Sequence, residues 1–200
     1  MKYLRNHWFD FGLGFAIASI IYLSFNWSHH SMIQNLLWLN MIGLFLHQFE
    51  EYRFPGYFPK VINKLMYLSS KPDRYPLNSQ SALIVNVCLG WVLYPLAAIL
   101  GEKAFWLGMI TIFISITNTI AHTLLLNIKG KTFYNPGMFS SIVLFLPVSI
   151  LFIYFVISTH SAHMIDWIIG IVIGIPVSFF VMHIIVDRFK NIKTEYVFEE

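Results

Sequence analysis

A single cysteine, Cys88, stands among 200 residues, so the chain cannot close an intrachain disulfide. It lies in an apolar run and is expected to be a buried structural thiol. Charge is scarce too. Asp, Glu, Lys and Arg make up 12% of the chain, against about 25% in soluble domains. Hydrophobic residues supply 57% and the mean hydropathy is +0.65, which excludes an ordinary soluble domain. The formal charge of +3 comes from basic residues scattered through short loops, not from a face that would bind nucleic acid. Several catalytic signatures are missing: the His-Glu-x-x-His zincin motif, a Gly-rich phosphate loop, a Gly-x-Ser-x-Gly elbow and paired Glu-x-x-His motifs. No small-x-small site follows the apolar stretch 11–25, so no cleaved signal peptide is expected. Internal repeats and low-complexity tracts are not evident.

Long apolar runs are what the chain has in quantity. Six segments, 9–27, 33–51, 81–100, 104–126, 138–157 and 165–186, are long enough to cross hydrocarbon; a core of about 30 Å takes roughly 20 residues at ~1.5 Å each. The connections 28–32, 101–103 and 158–164 carry one basic residue between them, Lys103, while the other 12 of 13 fall on the opposite side. That asymmetry places both termini in the cytoplasm. Within the one long connection, 53–78, Phe58, Val61, Ile62, Leu65 and Met66 recur at helical spacing, with Lys60, Asn63 and Lys64 opposite them and prolines at both ends. This predicts a short amphipathic helix lying in the interface. The expected fold is a single-domain, all-α membrane protein: a six-transmembrane-helix bundle with an interfacial helix, in the cell membrane.

Polar residues inside those runs carry the functional reading. His47, Glu50 and Glu51 fall within one helical turn at the end of the second run, and Asn40, seven residues before His47, points the same way. The fourth run has Thr111, Ser115, Asn118 and His122 spaced four, three and four, one polar stripe that must face the bundle interior. His183 and Asp187 stand four apart at the end of the sixth, a spacing at which the carboxylate can fix the imidazole tautomer. His47, His122 and His183 precede Arg53, Lys129 and Arg188 by six, seven and five residues. On regular helices this puts all three at one depth, ~8–10 Å inside the boundary. Asn86 enters from the same side at a comparable depth. His7 and Asp10 open the first run, where Asp10 is expected to be a helix N-terminal carboxylate. The turn Tyr134-Asn135-Pro136-Gly137 either starts the fifth helix or forms a lid over the polar cluster.

Imidazoles and carboxylates in this mix suit zinc, with iron or manganese as alternatives. The expected ligands are His47, Glu51, His122 and His183. Glu50, Glu51 and Asn118 are the candidate catalytic groups, Glu50 serving as base or further ligand, and Asn40, Asn86 and Asp187 support the ligands. His47-Gln48-Phe49-Glu50-Glu51, Asn118-Thr119-Ile120-Ala121-His122 and Tyr134-Asn135-Pro136-Gly137, in that order, resemble the HXXEE family of small multipass bacterial membrane proteins. The resemblance implicates His47, Glu50, Glu51, Asn118 and His122, and implies a suspected enzymatic activity; His183 is added on depth alone. The function expected is metal-dependent hydrolysis of a lipid-like or membrane-partitioned substrate. Iron and oxygen chemistry on a lipid, metal-ion or proton transport, and a partner-subunit role for the cluster are the alternatives.

Overall fold

The computed structural model describes residues 2–198, which are helical wherever they are regular. Seven helices account for the bundle. α1 is Lys2–Asn26, α2 Met32–Tyr52 and α3 Phe58–Tyr67. α4 spans 79–100, α5 105–130, α6 Met138–Thr159 and α7 Met164–Phe189.

Four stretches are long and apolar enough to cross a membrane: Lys2–His29, Ser79–Gly130, Met138–Thr159 and Met164–Phe189. The second of these, at 52 residues, is not one rod. Gly101 takes φ +54 and ψ −131, and Ala104 φ −137 and ψ 60, so the path reverses at Gly101–Ala104 and α4 packs back against α5. A side chain at Gly101 would be strained at that φ. The Gln34 side chain covers the turn, donating to the carbonyls of Ala98 and Ile99 at 3.2 Å each. α2 is absent from the four for a different reason. It is the central helix, packed against α1, α4, α5 and α6. Because its outside is protein rather than lipid, it can carry buried Asn35, Asn40, His47, Gln48, Glu50 and Glu51.

Five helical turns are wide, of the π type: Ile84–Gly90, Ala121–Leu125, Ser141–Phe145, Gly170–Gly174 and Val177–Val181. Three have a common cause. A proline ring pushes away the carbonyl four residues before it, and Pro95, Pro147 and Pro176 lie four residues after Trp91, Val143 and Val172, each in or next to one of these turns. The turn at Ala121–Leu125 follows no such rule, and it holds His122. Wide turns of this kind recur at functional sites.

α3 is a short amphipathic helix against the end of the bundle, reaching both α2 and the last turns of α5. Its polar side departs from the expected one. Asn63 is fully buried: its amide donates to the carbonyls of Pro72 and Leu77 and accepts from the Leu77 N–H, pinning the loop that returns to α4. Two further expectations fail. Cys88 is exposed, because on a lipid-facing helix an apolar run faces outward as readily as inward. Asp10 sits in the third turn of α1, not at its start, and is held by His7 Nδ1 at 2.9 Å and Arg53 Nε at 3.3 Å.

Candidate metal centre

His47 and Glu51 share one face of α2 one turn apart, and the wide turn of α5 brings His122 up to them. All three are at least nine-tenths buried. Glu51 Oε1 lies 3.5 Å from His47 Nε2 and 3.2 Å from His122 Nε2, and one ligand atom from each residue fits within 4.8 Å of the others. The two rings stand edge to face, with centroids 4.9 Å apart.

The outer nitrogens of both rings are tied to the segment Tyr134–Ser140. His122 Nδ1 lies 2.7 Å from Asn135 Oδ1. The Asn135 amide nitrogen donates to the His122 carbonyl at 2.7 Å and to Asn127 Oδ1 at 2.8 Å. Flipping that amide would set its oxygen against two acceptors, so Oδ1 accepts and His122 carries its proton on Nδ1. His47 Nδ1 lies 2.9 Å from Ser140 Oγ. The single Ser140 hydroxyl hydrogen goes to Glu50 Oε2 at 2.5 Å. Ser140 therefore accepts from His47, which also carries its proton on Nδ1. Both Nε2 lone pairs then point at a carboxylate oxygen, and His47 Nε2 is buried without a hydrogen bond. Three acceptors converge with no donor between them, which is unfavourable unless a proton or a cation joins them. The His47–Glu51–His122 group has the chemistry to hold a metal ion, with each imidazole oriented by a hydrogen bond from its far nitrogen.

Glu50 has another task. Oε1 accepts from the Tyr134 hydroxyl at 2.9 Å and the Phe139 N–H at 3.1 Å; Oε2 accepts from the Ser140 N–H at 2.7 Å as well as from its hydroxyl. Burial and the Glu50 carboxylate together raise the Tyr134 pKa well above its ordinary value, so the phenol stays a donor. Glu50 clamps the start of α6, and with it the groups that orient both imidazoles. Between them lies Gly137, at φ +95; a Cβ there would come within 2.4 Å of His122 Cε1 and 2.9 Å of His47 Cε1. Tyr-Asn-Pro-Gly is thus both a helix start and a lid. Phe58 of α3 covers the other side of His122, ring centroids 5.1 Å apart.

Two cavities meet at this group. One of about 140 Å³ is lined by His47, Glu51, Tyr52, Asn86 and Asn118. The other, about 400 Å³ and mostly apolar, lies between α3, α5 and α7 and is lined by His122, Asn118, Ile62, Leu125 and Phe179. Asn118, Phe58, Ser178 and Met182 belong to both walls. Asn118 donates one of its two amide hydrogens to the Ile114 carbonyl at 3.0 Å. Asn86 bonds Gln48 and the Tyr52 hydroxyl, at 3.0 and 3.2 Å. Asn40 lies two turns along α2, its Oδ1 accepting from Ser115 Oγ at 2.8 Å.

His183 is not brought into the group. It is exposed, with Nε2 3.8 Å from Asp187, which itself is bonded to Lys190 at 2.9 Å. Equal depth along the helices does not fix direction around their axes, and two wide turns precede His183 in α7. His183 lines the far part of the apolar cavity that His122 borders, but it is not one of the converging ligand atoms, and Asp187 is turned to the surface.

Residues 38–152 match the family model described as "Protein of unknown function with HXXEE motif". The chain belongs to the HXXEE family. No curated protein and no solved structure is significantly similar to it. The match covers α2 from Trp38 onward, α5 and the Tyr134–Ser140 segment, and stops before His183. The HXXEE motif of this chain divides its labour: His47 and Glu51 face the centre while Glu50 clasps the lid. Asn135 and Gly137 carried a sequence signal, as members of the turn motif. Ser140 carried none.

Proposed function

We propose that this HXXEE protein is a membrane-embedded metal-dependent hydrolase acting on a lipid-like substrate, with His47, Glu51 and His122 as its metal ligands. The observation behind the reading is the convergence of two proton-free Nε2 atoms and a carboxylate oxygen in a buried chamber. Two imidazoles and one carboxylate are a donor set used for catalytic zinc, and also for non-haem iron. A bound divalent cation supplies a Lewis acid beside the chamber. Around it, Glu51 is the one carboxylate among the described lining residues, so proton transfer falls to it and not to Glu50, whose oxygens are occupied. Asn118 stands where the chamber meets the apolar cavity, placed to orient a carbonyl while a hydrocarbon tail lies along Ile62, Leu125 and Phe179.

The test is elemental analysis of protein purified without chelators, followed by turnover of amphiphilic esters and amides. Stoichiometric zinc, lost in His47→Ala and in His122→Ala together with turnover, is the expected result. Wild-type protein without metal above background refutes the centre; iron in its place redirects the chemistry to oxygen. One feature favours a second reading, transport of a proton or metal ion. Tyr94, Ser115, Asn40 and Thr111 form a buried polar column between α2, α4 and α5 beyond the centre. Ion flux in proteoliposomes that His122→Ala abolishes would decide for it.

Six crossings with both termini cytoplasmic are part of the same proposal. The reversal at Gly101–Ala104 splits one apolar stretch into two passes, and α2, lined by protein, supplies another. Single cysteines at Lys64 and Ser161, introduced into Cys88→Ser protein, should label from opposite sides of the cell membrane. Labelling from one side refutes the topology.

A further inference from the structure

A third cavity lies at the end of the bundle where the basic residues gather, apart from the His47–Glu51–His122 group. It encloses about 490 Å³, well within the range of small-molecule sites. The first turns of α1, the stretch between α2 and α3, and Phe198 form its walls. The charge on those walls has one sign: Arg5, Arg53 and Lys60 line the cavity, and among the described residues no carboxylate does. Asp10, just outside, holds His7 and Arg53 in place through its two oxygens.

Arg5 has an unmet donor beside this cavity. Its Nε is buried without a hydrogen-bond partner, and Nη1 reaches Gln80 Oε1 only at 3.4 Å. The guanidinium carbon lies over the Tyr196 ring, 4.1 Å from its centroid, and none of the described carboxylates pairs with it. A stacked guanidinium keeps its in-plane donors pre-organised for an oxyanion. Arg5 is only partly buried as a side chain, but its Nε atom is out of reach of water, and a buried donor left unmet is unfavourable until an acceptor arrives. Trp8, Tyr52 and Tyr57 complete the walls with aromatic faces and phenol groups, the usual lining where one end of a ligand is polar and the other apolar.

We propose that this cavity binds a phosphate ester, its oxygens held by Arg5 and Arg53 with Lys60 beside them. Three cationic side chains around one void suit a group carrying more than one negative charge and several acceptor oxygens better than a lone carboxylate. With six crossings, the cavity lies at the level of the cytoplasmic headgroups, so a lipid phosphate and a soluble phosphate ester can both reach it. Tyr52 is a wall shared with the metal chamber, but the site stands whether or not metal is bound.

The experiment is calorimetric titration of the full-length protein in nanodiscs of zwitterionic lipid. Three probes are used: dioctanoyl phosphatidic acid, glycerol 3-phosphate and dioctanoylglycerol. Phosphatidic acid should bind and dioctanoylglycerol should not, with binding weakened by added salt. Arg5→Gln and Arg53→Gln should each weaken binding by about 10-fold or more, one lost charge-assisted bond apiece. Tighter binding of phosphatidic acid than of glycerol 3-phosphate identifies a lipid headgroup as the source; equal or weaker binding identifies a soluble ester. If wild-type protein binds neither phosphate probe, or binds dioctanoylglycerol as well as phosphatidic acid, the proposal fails whatever the variants do. It fails also if both variants, eluting as folded protein, bind phosphatidic acid with wild-type affinity.

Discussion

Replacing Glu50 by Gln separates two roles that the motif alone leaves merged. The carboxylate accepts four hydrogen bonds, two on each oxygen. A Gln keeps one oxygen, so two donors must face an amide NH2. The amide will turn its oxygen to Ser140, which is buried, and give up Tyr134 and Phe139, which are partly exposed and can turn toward water. Orphaning two donors costs about 1–3 kcal/mol each when fully buried; with water in reach the lower end applies, about 2–3 kcal/mol in total. Against a stability of about 5–15 kcal/mol the variant still folds. Its clasp on the Tyr134–Ser140 segment is weakened, however, and that segment supplies the acceptors for both imidazole Nδ1–H groups. Metal affinity should therefore fall about 10-fold or more, as expected when a ligand loses its orienting partner, although Glu50 does not touch the metal. Thermal unfolding in detergent and zinc competition against a chelator measure the two effects. Wild-type zinc affinity with turnover alone abolished would make Glu50 the catalytic base and refute the clasp.

Two other predictions test the lid and the boundary of the centre. Gly137→Ala should cost about 10-fold or more in metal affinity, since its Cβ would fall 2.4 Å from His122 Cε1 at a φ of +95, whereas Gly14→Ala, with nothing within 4 Å, should leave loading unchanged; equal loading of both variants in a zinc assay refutes the lid. His183→Ala and Asp187→Asn should leave zinc content within about 2-fold of wild type, as substitutions outside the ligand group usually do, and a sharp loss of zinc would restore His183 to the centre.

The features legible in the sequence were those that depend on distance along a helix. Apolar length pointed to an all-helical chain with membrane-spanning stretches. The four-three-four spacing placed Thr111, Ser115 and His122 on a buried face of α5, where all three lie. Direction around the axis was legible only while the helix stayed regular. Past the wide turns at Gly170–Gly174 and Val177–Val181 the spacing no longer predicts where a side chain points, and His183 came out on the surface. Cys88 was misjudged for a related reason: lipid, unlike water, gives an apolar residue no cause to turn inward. Asn63 looked like a solvated polar residue because the backbone groups it satisfies, at Pro72 and Leu77, come from an irregular loop that no periodicity describes.

The two adjacent glutamates are the case where spacing was least able to decide. Glu50 and Glu51 stand three and four residues after His47, and a helix puts both beside it. What separates them is the partner each meets. Glu51 meets His122, from α5, across the buried chamber. Glu50 meets Tyr134, Phe139 and Ser140, 84 to 90 residues away, three of its four donors at the first turn of α6. A lone carboxylate at position 51 would leave the lid unheld, and one at position 50 would leave two imidazole lone pairs with no third donor atom. Both acids are therefore needed side by side, because the turn of α2 that carries His47 and Glu51 to the His122 ring is the same turn that holds the segment closing over them.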